Sequence, residues 1–319
     1  MEIRKAVITA AGRGERTFPA ANTVHKGMLP LVDRDGLTKP VIQIIAEEAL
    51  ESGIEEICIV CAPGDEEQYL DAFQALRRNL LEGHPGVAWA QEQAERIETL
   101  LRRLHFAAQT EPLGYGHAVY GAREFAGDDP FLLLLGDHLY LSYVPGKRCA
   151  AQVLELARAE GCPVSAVQAT REHLVGLYGT LTGKREPNHP GVYQIEKIIE
   201  KPSVSRAELE LHTPGLRVGH YLCFFGVHVL TAAVFSLLEQ SMAAPHEGGD
   251  YQLTPALQEL ARRQRYLALE AAGKRFDIGQ RFGLLQAQVA LALAGRGRDE
   301  ALATILETMA ELQRDNKVL

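Results

Sequence analysis

The sequence predicts an α/β fold: a mixed, mostly parallel central sheet with helices on both faces, a smaller β-rich part and a helical tail. Three observations predict it. Strand-like and helix-like segments alternate through the first half of the chain, as in βαβ units. Phe131–Leu135 is an unbroken apolar run, which suits a central strand buried on both sides. From Phe282 onward the apolar residues, among them Leu302, Ile305, Leu306, Met309 and Leu312, recur at helical spacing.

The elements follow in order. Ala6–Ala10 reads as the first strand. Val41–Ser52 has the spacing of an amphipathic helix and is closed by Gly53. Ile57–Cys61 is a second strand and Glu66–Leu81 a second helix. Gln91–Leu104 reads as helix, Phe106–Gln109 as a short strand, and Ala118–Phe125 as a helix leading into Phe131–Leu135. After the helix Cys149–Gly161 the pattern turns to strands, at Val164–Ala169, Leu177–Leu181, Val192–Glu200 and Val218–Gly226. Helices return at Thr231–Gln240 and Pro255–Arg263. No repeat, low-complexity tract or long linker interrupts the chain. Residues 1–280 are expected to form one elaborated domain and 281–319 a helical extension. That extension packs on its own domain or serves as a subunit contact.

Composition bounds the function. The 319 residues are 46% hydrophobic and 23% charged, ordinary for a globular protein able to bury a large core without staples. Acidic residues outnumber Lys and Arg by 41 to 33, for a net charge of −8. That argues against a general nucleic-acid or anionic-membrane binder while permitting a local basic pocket. The apolar runs are too short to span a bilayer, and the N-terminal residues do not have the pattern of a signal peptide. Cys58 and Cys61 form C-x-x-C inside a strand, where positions i and i+3 face opposite ways. Buried structural thiols and a cytoplasmic location are expected.

The chemistry concentrates at strand ends. Gly12 and Gly14 lie just past the first strand, where open α/β sheets bind ligands. Glycines let backbone N–H groups approach phosphate oxygens, and Arg13 and Arg16 add charge suited to bidentate phosphate contacts. Lys26 follows in a tight Met-Leu-Pro setting. This is not a dinucleotide fingerprint: Thr17 stands where the third glycine belongs, and Asp33 does not follow a second strand. By themselves the glycines fit either a phosphate site or a plain turn.

Asp137 ends the Phe131–Leu135 run, and Asp277 follows the strand-like "KRFDIG". Two carboxylates with phosphate oxygens and water would hold Mg2+, although aspartate is also a common turn residue. In "IIEKP", Glu200 is suited to accept from sugar hydroxyls and Lys201 to neutralise a phosphate. Neighbours on a regular strand face opposite sides, so both reach one ligand only if the strand bends or ends there. In "QTEPLGYGHAV", Gln109 offers both a donor and an acceptor, as a pyrimidine edge requires. His117 is expected to be a local hydrogen-bonding residue rather than a general base.

In order, AAG-x-G-x-R, K-x-MLP, Q…G-x-GHAV, LL-x-GD, YG, EKP, QLT and D-x-G resemble the bacterial UTP–glucose-1-phosphate uridylyltransferases, a branch of the sugar-phosphate nucleotidylyltransferases, over roughly residues 4–290. The resemblance implies a Rossmann-like nucleotidyltransferase fold, with residues 1–150 mainly nucleotide-binding and 151–280 mainly sugar-phosphate-binding. It implies Mg2+-dependent attack of glucose 1-phosphate on the α-phosphorus of UTP, and a homodimer or homotetramer. Ala11, Gly12 and Gly14 would line the nucleotide, Arg16 and Lys26 hold the triphosphate, and Gln109 and Gly114 face uracil. Asp137 and Asp277 would bind Mg2+, Gly179 and Glu200 contact the sugar, and Lys201 its phosphate. Arg16, Lys26, Asp137 and Lys201 would carry the reaction.

The chain departs from that family at several points. Glu15 and Asn22 replace Thr and Lys, His25 and Gly27 flank the lysine in place of Pro and Glu, and Arg34–Thr38 is an insertion. Asp250 replaces Glu, and Gly219-His220-Tyr221 lacks the usual Arg. A nucleotidylyltransferase for another base or sugar, such as a thymidylyltransferase, and a catalytically weak nucleotide-sugar-binding relative are the alternatives. A nicotinamide dehydrogenase ranks below both for want of the third glycine.

Overall fold

A computed structural model describes residues 1–12, 24–243 and 249–314. β1 (Lys5–Thr9) precedes a hairpin, β2 (Pro30–Val32) and β3 (Thr38–Pro40), which runs into α1 (Val41–Leu50). Next come β4 (Glu56–Cys61), α2 (Asp65–Gly83), α3 (Ala88–Arg103) and β5 (Leu104–Ala108). The single helix expected over Ala118–Phe125 is two, α4 (Tyr115–Gly121) and α5 (Arg123–Ala126), ahead of β6 (Phe131–Leu135). β7 (His138–Ser142), α6 (Cys149–Glu160), β8 (Val164–Arg171), β9 (Thr180–Arg185) and β10 (Val192–Ile199) follow. Then come α7 (Val204–Glu210), β11 (His220–Leu230), α8 (Ala233–Ala243), α9 (Thr254–Arg263), β12 (Leu267–Glu270) and β13 (Gly273–Asp277). The tail is α10 (Gly283–Ala294) and α11 (Arg298–Arg314). The described residues form two compact units. The first takes 1–12, 46–135 and 142–274; the second takes 24–45, 136–141 and 275–314.

The first unit is built on a sheet ordered β5-β4-β1-β6-β11-β8-β12-β10-β9. The pairs β5–β4, β4–β1, β1–β6 and β8–β12 are parallel; the other neighbours are antiparallel. The parallel pairs fall where helices intervene in the sequence, since parallel neighbours need a crossover. Val7, Phe131 and Leu133 pack with Val119, Val234, Phe235 and Leu257 of α4, α8 and α9 on one face. Their strand neighbours Ala6, Ile8, Leu132 and Leu134 point the other way and are fully buried too. Burial on both faces is why these strands read as unbroken apolar runs. β1 lies between β4 and β6, a switch in strand order of the kind that leaves a crevice beyond the carboxyl ends. Thr9 and Leu135 are register partners, so the chain leaves β1 and β6 at one level.

In the second unit the β2–β3 hairpin pairs Pro30 with Pro40 and Val32 with Thr38. Residues 33–37 make its turn, closed by Asp33 and Asp35 carboxylates accepting the Arg34 and Leu37 N–H groups. Lys39 is buried between those acids, its Nζ 3.0 Å from Asp33 and 2.6 Å from Asp35. The side-chain amide of Gln288 on α10 accepts from Val32 N at 3.0 Å and donates to Val32 O at 3.3 Å, standing in for a strand neighbour. Three-residue strands such as β2 and β3 carry no readable period, which is why they escape a sequence reading. No helix among the described residues is long and apolar enough to cross a membrane.

All five cysteines are buried. Burial pushes the Cys58 and Cys61 thiols up to about 12; because the protonated form is favoured, thiolate grows only as pH approaches that value. At pH 8 both thiols are overwhelmingly protonated. A thiol-reagent titration at pH 8 is therefore expected to label neither residue in the native protein and all five cysteines after denaturation. Rapid native labelling of Cys58 or Cys61 would contradict the buried, inert assignment.

Candidate active site

In the second unit, three strand or turn ends bring charged groups together. Lys26 opens a 3-10 turn, Lys26–Met28, just before β2. Its side chain is largely buried, and Nζ lies 3.8 Å from Asp137 Oδ2. Asp137 sits in the short link between β6 and β7, and its carbonyl accepts the Ile278 N–H at 2.9 Å. Asp277 ends β13, which pairs with β7. Its Oδ1 accepts from Gly279 N at 2.9 Å and its Oδ2 from Gln280 Nε2 at 3.0 Å. Backbone pairing thus fixes both carboxylates.

His138 adds a group that the sequence reading did not single out. Its Nδ1 lies 2.9 Å from Asp137 Oδ1; an ionised carboxylate only accepts, so Nδ1 carries the shared proton. Donor atoms of Asp137, His138 and Asp277 lie within 4.8 Å of one another. Two carboxylates at that spacing repel by about 3 kcal/mol or more at an effective dielectric of about 20. Lys26 offsets part of this for Asp137. A hard divalent cation with oxygen ligands matches the donor set, with His138 orienting Asp137 as outer partners of metal sites do. The adjacency in "GDH" was the available signal.

Gly283 sets how closely α10 approaches this group. A Cβ there would overlap the Asp277 carbonyl oxygen and stand 3.1 Å from Ile278 Cα. Glycine at the first position of α10 lets the helix start directly against the Asp277–Gly279 turn.

The remaining described candidates belong to the first unit. Ala11 and Gly12 follow β1. Among the described residues, a Cβ on Gly12 would meet no atom within 4 Å. Gln109, past β5, donates from Nε2 to Gly114 O at 3.0 Å and contacts His117 Nδ1 at 3.1 Å. His117 is thus a local partner, and the Gln109 carbonyl is left facing away from those bonds. Gly114 has φ +106°, and a Cβ on it would press on Asp250 Cβ at 2.6 Å and Tyr251 N at 2.8 Å. Tyr251 also accepts from Gly116 N and donates to Leu113 O, each at 2.7 Å. The 113–116 loop and Tyr251 are therefore laced together along their backbones.

The "IIEKP" tension resolves locally. β10 ends at Ile199, and Lys201 has φ +41°, the only positive value at a non-glycine among the described residues. That left-handed twist breaks the alternation. Lys201 Nζ then comes within 3.6 Å of Glu200 Oε1. Gly179 stands beside Glu200, where a Cβ would lie 3.2 Å from Oε2. Asp33 is committed to Lys39, which removes it as a ribose acceptor. Gly14 and Arg16, with Arg13, Glu15 and Asn22, lie outside the described residues.

The structure brings Lys26, Asp137 and Asp277 together. Separately, it groups Gln109 with Gly114, and Gly179 with Glu200 and Lys201. The family model for nucleotidyl transferases matches residues 5–293. The chain belongs to the nucleotidyl transferase family. Within it, the branch is that of the bacterial UTP–glucose-1-phosphate uridylyltransferases. The enzyme of that name from Bacillus subtilis strain 168 is 34% identical over 310 residues, 96% of this chain and 97% of the relative. The Streptococcus pneumoniae enzyme is 35% identical over 92% of this chain and 91% of its own. The UTP-bound UDP-glucose pyrophosphorylase of Acinetobacter baumannii superposes with a TM-score of 0.76 at 28% identity, over 96% of this chain and 99% of that one. As a nucleotidyl transferase the protein needs a phosphate-facing centre, and the Lys26–Asp137–Asp277 group has the charge and rigidity for one.

Gly283→Ala is expected to force α10 off the Asp277 turn, destabilising the protein by roughly 1–3 kcal/mol and weakening divalent-ion binding. Thermal melts and Mn2+ titration of the variant check this. Unchanged melting and unchanged Mn2+ affinity together would show that the close packing does not set the carboxylate.

Proposed function

We propose that the protein transfers a uridylyl group from UTP to glucose 1-phosphate, giving UDP-glucose and pyrophosphate. The observation that carries this is the convergence of Lys26, Asp137 and Asp277 on fixed strand ends, in a chain whose relatives bear that activity in their names. A phosphate oxygen of the sugar 1-phosphate attacks the α-phosphorus in line. The bond to the β-phosphate oxygen breaks, and pyrophosphate carries away the electron pair. No protein nucleophile is needed; positioning two polyanions and neutralising their charge supply the rate.

Each residue then has a task. Ala11, Gly12 and Gly14 line the nucleotide, and Arg16 and Lys26 hold the triphosphate. Gln109 spends its Nε2 hydrogens within the protein, leaving its carbonyl to accept the uracil N3–H, with Gly114 beneath the base. Asp137 and Asp277 hold Mg2+, which when bound neutralises charge developing on the phosphates. Gly179 and Glu200 contact the sugar, and Lys201 neutralises its phosphate. Residues 1–280 would carry the reaction. The helical extension would join subunits into a homodimer or homotetramer, because Leu306, Met309 and Leu312 of α11 are more than half exposed, an apolar stripe suited to burial against another chain.

The decisive measurement is pyrophosphate release over a matrix of UTP, dTTP and ATP against several sugar 1-phosphates, with and without Mg2+. UTP with glucose 1-phosphate is expected to be fastest, only with Mg2+, and Asp137→Asn to lower kcat by at least about a hundredfold. Preference for dTTP would select the thymidylyl alternative. Tight UDP-glucose binding without pyrophosphate exchange would select a non-catalytic role. Light scattering at micromolar concentration is expected to give an oligomer that Leu306→Glu with Met309→Glu dissociates; a wild-type monomer would remove that assignment.

A further inference from the structure

Glu200 has two carboxylate oxygens, and the structure treats them differently. Thr254, the first residue of α9, donates its hydroxyl to Oε2 at 2.5 Å. Oε1 instead faces Lys201, 3.6 Å from Nζ. Thr254 is 7% exposed and is held from both sides. Upstream, Tyr251 is laced to Leu113 and Gly116 by two 2.7 Å backbone bonds. On the other side, the Gly179 backbone closes over the pair: a Cβ there would stand 3.2 Å from both Thr254 Oγ1 and Glu200 Oε2, and 2.8 Å from Phe224 Cδ2.

A free glutamate turns easily about its last torsion, a broad, two-fold one. It therefore offers either oxygen to many hydroxyl arrangements. With Oε2 bonded to Thr254, the carboxylate is held in one plane and its remaining lone pairs point in fixed directions. The Thr254 hydrogen is spent on that bond, so the hydroxyl has none to give a substrate. We propose that Thr254 is a positioning residue for sugar selection: it fixes Glu200 so that its remaining lone pairs, chiefly those of Oε1, meet the sugar's hydroxyls in one orientation. This rests on the assignment of Glu200 to the sugar. It deepens that assignment by locating selectivity in a residue of "QLT" rather than in the carboxylate alone. The cost of losing the bond then falls on the sugar phosphate and its discrimination, because the nucleotide loop is laced to Tyr251 through backbone atoms that a Thr254 side-chain change leaves in place.

The test uses Thr254→Val, which keeps the shape and removes the donor, and Thr254→Ser, which keeps the donor. Kinetics are run with whichever sugar 1-phosphate the wild-type enzyme turns over fastest, and with its monodeoxy analogues. Thr254→Val is expected to raise KM for the sugar phosphate about tenfold, as loss of one hydrogen bond to a charged group does. The nucleotide KM should stay within about twofold, and discrimination against the monodeoxy analogues should shrink by a similar factor to the loss in KM. Thr254→Ser should come back to within about threefold of wild type, since its hydroxyl restores the bond. Equal changes in both KM values, unchanged discrimination in Thr254→Val, or failure of serine to rescue would overturn the proposal. Wild-type preference for a sugar other than glucose would correct the proposed substrate and leave this test standing.

Discussion

The second unit depends on one constraint: two carboxylates, Asp137 and Asp277, are held closer than like charges tolerate without compensation. Much of what surrounds them holds or balances that arrangement. Pairing of β7 with β13 and the Ile278-to-Asp137 backbone bond bring the two strand ends together. Gly279 and Gln280 occupy both oxygens of Asp277. Lys26 and His138 attend to Asp137. α10 starts against the Asp277 turn at a glycine, and its Gln288 then grips β2, a few residues beyond Lys26. The β2–β3 hairpin turn is tied into the same framework, the Arg296 N–H donating to the Arg34 carbonyl.

The first unit solves a different problem, holding loops that carry little apolar surface. It does so with backbone lacing and close glycine contacts, added to the packing of Leu253 and Tyr115 on the core. Gly114 and Gly179 face protein atoms so closely that a side chain would displace them. Gly12 faces none among the described residues. The Asp250–Thr254 segment touches the loop assigned to the base at one end and Glu200 at the other, which gives the short "QLT" motif a physical reason.

By itself, the sequence determined the class of fold, the central strands β1, β4 and β6, and the aspartate just past β6. These were legible because burial on both faces writes an unbroken apolar run, and because the order of short motifs is specific where each alone is not. Only the tertiary structure decided the rest. Sequence spacing could not reveal that His138 turns toward Asp137, that Asp33 is consumed by Lys39, or that a left-handed residue at Lys201 lets Glu200 and Lys201 approach each other. Nor could it show that the antiparallel half of the sheet is knitted through β12, or that Thr254 reaches Glu200 across 54 residues. The physical reason is common to all of them. Periodicity reports which face of an element is buried, whereas a hydrogen bond or ion pair between distant segments depends on where strands end and how chains cross.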